Sequence, residues 1–114
     1  MHKDVIEEQK LVCEQYGSAY RAVSDEDVIA IAVGSLKEET IVGIRHLPNS
    51  DGIAWFIYGG ELQDADDFFQ SMTVKELEDV FPEALPFLAL ETGYRFLIDH
   101  EEYEDVWREG ELDI

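Results

Sequence analysis

The sequence predicts an α+β domain, with an antiparallel sheet built around a central hairpin and helices packed on it. Three observations predict it. Residues 40–47 and 53–58 are β-branched and aromatic runs, joined by Pro48-Asn49-Ser50-Asp51-Gly52, a turn by composition. Apolar residues at helical spacing, with capping signals, recur on either side of that pair. The 114 residues are 46% hydrophobic and 11% aromatic, so a core can form despite a formal net charge of −19.

The elements follow in order. Val5, Ile6, Val12, Cys13 and Tyr16 mark an amphipathic helix from Asp4 to Tyr16, stopped by Gly17, with Glu7-Glu8-Gln9-Lys10 toward water. Residues 18–23 read as a short strand. Ser24-Asp25-Glu26-Asp27 has the form of an N-cap followed by first-turn acids, which favours a helix to about Leu36. The alternation over residues 28–33 suits a strand as well. Thr40 to Leu47 and Ile53 to Tyr58 form the hairpin, and Gly59-Gly60 ends it. Thr40, Val42, Ile44 and His46 share a face, and we expect Val42, Ile44 and Ile57 in the core. Trp55 and Phe56 alternate, so one enters the core and the other faces out.

Thr73-Val74-Lys75-Glu76 is a capping box whose helix places Val74, Leu77, Val80 and Phe81 on one side. Pro82 suits the first turn of a further helix over 83–90, with Leu85, Leu88 and Ala89 inward and Pro86 shortening or bending it. Tyr94 to Ile98 is a strand, and Tyr103 to Trp107 forms one more. One domain is expected over 1–114: a helix to 17, a core over 18–98 and an acidic C-terminal segment over 99–114.

Composition narrows the function classes. Twenty-seven acidic residues oppose eight basic ones, a balance that repels nucleic acid and anionic lipid and steers basic partners. The opening MHKDVIEEQK has no apolar secretory stretch, and no apolar run approaches the ~20 residues of a membrane span. A cytoplasmic protein is expected. Cys13 is the single cysteine, which excludes an intramolecular disulfide and polythiolate zinc. Its apolar setting predicts a buried, inert thiol.

No metal or cofactor is expected. Asp64, Asp66 and Asp67 hint at a calcium loop, but counting from Asp64 puts Phe69 sixth and Lys75 twelfth, where glycine and glutamate are required. His46, and His100 beside Asp99, Glu101 and Glu102, have no nucleophile motif near them. Gly59-Gly60 has no phosphate-binding spacing. Trp107 and Tyr103 stand in the acidic C-terminal segment. Aromatics belong in the core by default, yet one ringed by carboxylates is also how a binding hot spot is built.

Two stretches carry a family resemblance. Gly43-Ile44-Arg45-His46-Leu47-Pro48 precedes the turn, and Ile53-Ala54-Trp55-Phe56-Ile57-Tyr58-Gly59-Gly60-Glu61 follows it; Thr92-Gly93-Tyr94-Arg95-Phe96 extends the match. Over residues 24–98 the chain resembles the immunity protein 33 family of bacterial polymorphic toxin systems, with Ala54 where that family shows glycine before the tryptophan. The motif positions are Arg45, Pro48, Trp55, Gly59, Gly60, Glu61, Gly93 and Phe96. The resemblance implies a cytosolic antitoxin that binds and blocks a cognate toxin, with no catalytic residues to carry over.

The reading that joins these observations is a non-enzymatic immunity-type protein that neutralises a protein toxin through an acidic surface. Candidate contacts are Asp64, Asp66 and Asp67, and Glu101, Glu102, Tyr103, Glu104, Asp105 and Trp107. The alternatives are an acidic regulatory or scaffold domain of bacterial cytosol, and a small enzyme using Arg45, His46 and Glu61 in a cleft.

Overall fold

The computed structural model describes residues 1–63 and 67–108. Helix α1 covers Lys3–Tyr16 and α2 covers Val74–Val80. The strands are β1 (Val28–Ile31), β2 (Thr40–Arg45), β3 (Trp55–Gly59), β4 (Gln70–Thr73), β5 (Tyr94–Asp99) and β6 (Glu104–Arg108). Short 3₁₀ segments occupy Val33–Ser35 and Pro82–Phe87. The six strands form one sheet in the order β4-β1-β3-β2-β5-β6. The α+β class and the central hairpin hold. The sheet is mixed, however, because β1 runs parallel to β3 while the other neighbours are antiparallel.

Local signals explain most element ends. Gly17 sits at φ 73 and its N–H reaches back to the last turn of α1, a left-handed stop that glycine takes without strain. Thr73 and Glu76 form the reciprocal capping box on α2. In the hairpin loop, Asn49 Oδ1 accepts from the N–H groups of Asp51 and Ile53 at 2.9 and 3.0 Å, an Asx-type turn.

Several expectations are corrected. Residues 28–31 are a strand, not part of a helix to Leu36. The Ser24 cap is used differently: its N–H and Oγ bond the Asp27 carboxylate at 2.9 and 3.2 Å, closing a turn. The carbonyls of Asp25 and Asp27 then accept from Lys75 and Val74 at the start of α2. With β3 on one side and β4 on the other, β1 satisfies its backbone in the sheet, and tertiary pairing overrides the alanine propensity. Residues 18–23 form no strand. They dock by isolated bonds, such as Arg21 N–H to Ala89 O at 2.8 Å.

The expected 83–90 helix is a 3₁₀ segment, because Pro86 lacks a donor and cannot continue an α-helical ladder. Leu85, Leu88 and Ala89 are nonetheless buried as expected. Strand β4, with the polar sequence Gln-Ser-Met-Thr, has no counterpart among the strands expected from the sequence. Val80 lies 42% exposed rather than inward. Gln9, expected in water, is fully buried, and its Nε2 donates to Leu85 O at 2.9 Å.

The core lies on one side of the sheet. Ile29, Ile31, Ile41, Trp55, Ile57, Tyr94, Phe96, Ile98 and Val106 form one buried cluster with Cys13 of α1, Val74 and Leu77 of α2, and the segment around 84–90. Phe87 stacks on Phe96 at 4.7 Å between ring centroids. The Phe96 ring crosses the sheet directly over Gly43, where an added Cβ would lie 2.1 Å from it. Gly43 therefore makes the room that Phe96 fills.

This alternation reverses the expected facing of β2. Ile41 and Gly43 are buried, whereas Val42 and Ile44 are only half-buried and point away from the helices. Ile57 is fully buried as expected. In denaturant melts, Ile41→Ala is expected to cost about 2–5 kcal/mol. Ile44→Ala should cost about 1 kcal/mol or less, and equal losses would contradict the register. Gly43→Ala is expected to lose about 1–3 kcal/mol by overpacking against Phe96.

Candidate functional site

Strand alternation gives the sheet two faces of different character. The Trp55 face is covered by α1, α2 and the 3₁₀ segment; among the described residues no helix covers the other. Cross-strand register lays an uninterrupted row over that open face: Ser71, Ala30, Phe56, Ile44, Arg95 and Trp107, one from each strand. The next row is Tyr58, Val42, Leu97 and Asp105. Val42, Ile44, Phe56, Tyr58, Leu97 and Trp107 are all half-buried. Phe68 and Phe69 fold back from the β3–β4 connection, with Phe69 edge-on to Phe56 at 5.6 Å and to Tyr58 at 6.4 Å. Ile44, His46, Phe56, Tyr58, Leu62 and Phe69 surround an apolar depression of ≈ 170 Å³.

His46 completes the near side of this depression, edge-on to Phe56 at 5.6 Å. Lost hydration, helped by the positive charge of Arg95, holds its pKa below the ordinary histidine value.

The strand directions also collect the acidic loops. Strands β1, β3 and β5 end, and β2, β4 and β6 begin, at one end of the sheet. The loop that carries Asp67 and the turn that carries Glu101 and Glu102 therefore leave from the same end. His100 Nε2 lies 2.8 Å from Glu38 O and ties the turn to the segment before β2. Asp67, Glu101 and Glu102 are exposed, and Glu102 holds a left-handed φ of 71. Asp99 Oδ1 shapes this turn by accepting from Glu101 and Tyr103 N–H at 2.8 and 2.9 Å. Asp64 and Asp66 lie outside the described residues.

The C-terminal candidates divide between the two sides. Glu104 Oε2 accepts from Tyr16 OH at 2.8 Å and belongs to the α1 side. With Glu102 and the 53%-exposed Tyr103 it borders a groove of ≈ 430 Å³ beside α1. Asp105 and Trp107 lie on the open face. Sequence reasoning missed Val42, Ile44, Phe56, Tyr58 and Leu97 as members of this surface. Their signal was present in the hairpin, where both alternating sets are apolar.

The motif positions mostly build the scaffold. Arg45 turns into the covered side, and its Nη1 donates to the carbonyls of Arg21, Leu88 and Leu90 at 3.2, 3.2 and 2.7 Å. Burial lowers its pKa, with the Asp27 charge acting against that. The guanidinium lies over the Trp55 ring at 5.9 Å, and Trp55 Nε1 donates to Leu88 O at 2.9 Å. Gly93 takes φ 95 and donates to Arg45 O. Gly59 N–H bonds Ser35 Oγ at 2.8 Å, and a Cβ there would strike Ser35 O. Pro48 and Glu61 are exposed.

Arg45, His46 and Glu61 do not converge. The first two point to opposite faces, and Glu61 follows β3 at the far end of the sheet. Cys13 is 3% exposed, its Sγ is 3.4 Å from Ala89 O, and burial raises its pKa. Among the described residues no group of three or more His, Cys, Asp and Glu could hold a metal ion, and no helix is long and apolar enough to cross a membrane.

Comparison with known proteins adds one finding. The family model described as Imm33-like domain matches residues 8–109, a span that takes in most of α1 and all of β6. No curated protein and no solved structure matches.

Two outcomes test this geometry. Arg45→Met removes the side-chain donor of Arg21 O and Leu90 O, while Leu88 O keeps Trp55 Nε1, and is expected to cost about 1–3 kcal/mol in urea melts. Arg45→Lys should recover only part of this, because an ammonium lacks the planar fork. An unchanged midpoint for both would contradict the carbonyl cage. For His46, the folded chain binds the proton less readily than the unfolded chain. Its contribution to stability is therefore present above the unfolded pKa of about 6.5 and is lost as pH falls through the lowered folded value. Thermal melts across that window should show a smaller acid-side loss in His46→Gln than in the parent.

Proposed function

From the premise that the chain belongs to the Imm33-like domain family, we propose that it is a non-enzymatic immunity protein. It binds a cognate bacterial toxin in the cytoplasm and neutralises it through an acidic surface. The observation that carries this reading is the family match over residues 8–109. The geometry supports it in a second way: Asp67, Glu101 and Glu102 leave one end of one sheet, beside a face of apolar side chains that no helix covers among the described residues. Asp64, Asp66, Asp67, Glu101 and Glu102 supply the charge in this proposal, with Asp105, Tyr103 and Glu104 alongside. Trp107 is the anchor.

The physics of the pairing is direct. A chain with formal net charge −19 attracts a basic toxin, and steering of this kind raises association rates by ~10–10³ over a neutral pair. The carboxylates set the encounter rate. A desolvated aromatic sets how long the complex lasts. Carboxylates can also stand where a toxin that acts on nucleic acid would hold substrate phosphates.

Co-expression with its cognate toxin should restore growth to cells that the toxin alone arrests. Failure to restore growth, with both proteins expressed and folded, contradicts the reading. With the purified pair, stopped-flow association should slow by about tenfold or more from low to physiological salt, and a salt-independent rate would leave the acidity without a role in capture. Trp107→Ala should weaken binding by about 2 kcal/mol or more at unchanged stability. Lost stability with binding retained by the folded fraction would instead make Trp107 a packing residue.

A further inference from the structure

Among the described residues the open sheet face has no covering layer, yet it carries the aromatic and aliphatic content of a buried one. We propose that the depression bounded by Ile44, His46, Phe56, Tyr58, Leu62 and Phe69 is a socket for one aromatic or branched aliphatic side chain, presented by a cationic segment of a partner protein. This rests on the preceding reading only in taking the partner to be a protein.

Shape and chemistry agree on the occupant. The depression measures ≈ 170 Å³, and an apolar cavity of about 150 Å³ holds a benzene ring. Its walls are three aromatic rings, two aliphatic side chains and an imidazole whose pKa is held low. The Phe69 ring meets Phe56 and Tyr58 edge to face, at 82° and 86°. That mutual packing keeps the walls apart and leaves the space open. Leu62 stands at its mouth, 59% exposed, an arrangement that costs hydration until a partner covers it.

The rim decides the sign of the occupant. Leu62 follows Glu61, and Phe69 lies two residues after Asp67; both carboxylates are exposed. The neighbouring cleft sets Glu38, Glu61 and Asp67 against the single basic residue Lys37. Arg95, the cross-strand neighbour of Ile44, puts a positive charge on the His46 side. An apolar tip whose lysine or arginine lies toward Glu61 and Asp67 therefore suits this socket, whereas an acidic segment meets repulsion at that edge. A second copy of this chain is disfavoured for the same reason, since two chains of formal charge −19 would have to meet.

Model peptides stand in for the partner in the test. A lysine-rich peptide with one central phenylalanine, and its counterpart with glycine there, are titrated into the ¹⁵N-labelled full chain. The phenylalanine peptide is expected to bind about tenfold more tightly, with amide shifts centred on Ile44, Phe56, Tyr58 and Phe69. Leu62→Ser, at an exposed position that leaves the core intact, should remove most of that preference at an unchanged melting temperature.

Equal binding of the two peptides would overturn the proposal, and so would shifts confined to the α1 side. Sedimentation that showed a dimer closed through this face would also overturn it. Growth rescue by co-expression reads the toxin proposal separately. A peptide seated in the socket without rescue defeats that reading alone, and rescue with no phenylalanine preference defeats this one alone.

Discussion

The layer between α1 and the sheet is the constraint on which the rest of the structure depends. Residues 82–90 pass through the interior as 3₁₀ and irregular chain, so their carbonyls cannot all be satisfied by a regular ladder, and a buried carbonyl without a donor is costly. Side chains from both sides supply the donors. Gln9 reaches Leu85 O, Cys13 reaches Ala89 O, Trp55 reaches Leu88 O, and Arg45 reaches Leu88 O and Leu90 O. Arg45 adds Arg21 O and so pins the irregular 18–23 stretch to the same centre. A strongly anionic protein thus places a guanidinium beside backbone oxygens. Five donors fanned from one planar head suit that task better than a point charge.

The sheet is consequently a wall with unequal sides. Phe96 lies flat over Gly43 toward Trp55, and Phe87 stacks on it from the layer above. On the other side, Phe56, Tyr58, Val42, Ile44 and Leu97 touch mainly their strand neighbours, with Phe68 and Phe69 closing over part of them. The strand order makes this possible. The β3–β4 connection leaves and re-enters at the same end of the sheet, so it can fold back over the open face without crossing it.

Much of this was legible in the sequence, and the failures have physical causes. The hairpin, the Gly17 stop, the Thr73–Glu76 box and the strand at 94–98 rest on local chemistry that tertiary packing did not override. The face of β2 could not be decided from alternation, because Val42 and Ile44 are as apolar as Ile41. Choosing the larger set put the wrong side inward. The missing volume at Gly43 was the clue, since a ring from another strand fills it. Residues 28–31 were ambiguous because a cap-like Ser24 preceded them, and only the second neighbour, the polar β4, made a strand the better use of that backbone. Of the candidate contacts, the pairing of the two acidic loops at one end required the topology, which no local pattern contains. The family resemblance was readable over residues 24–98 from the hairpin and residues 92–96, and the family match runs further, over 8–109, into α1 and through β6.

The buried motif and the uncovered surface occupy the same three strands yet share almost no side chains. Arg45, Trp55 and Phe96 point one way, while Ile44, Phe56 and Leu97 point the other, and strand geometry keeps them apart at every step. The outward set therefore contributes few contacts to the inward packing. A scaffold arranged in this manner can vary its outer face while its inward packing stays in place. The period of two in an extended chain is enough to separate load from display, within a stretch as short as one hairpin.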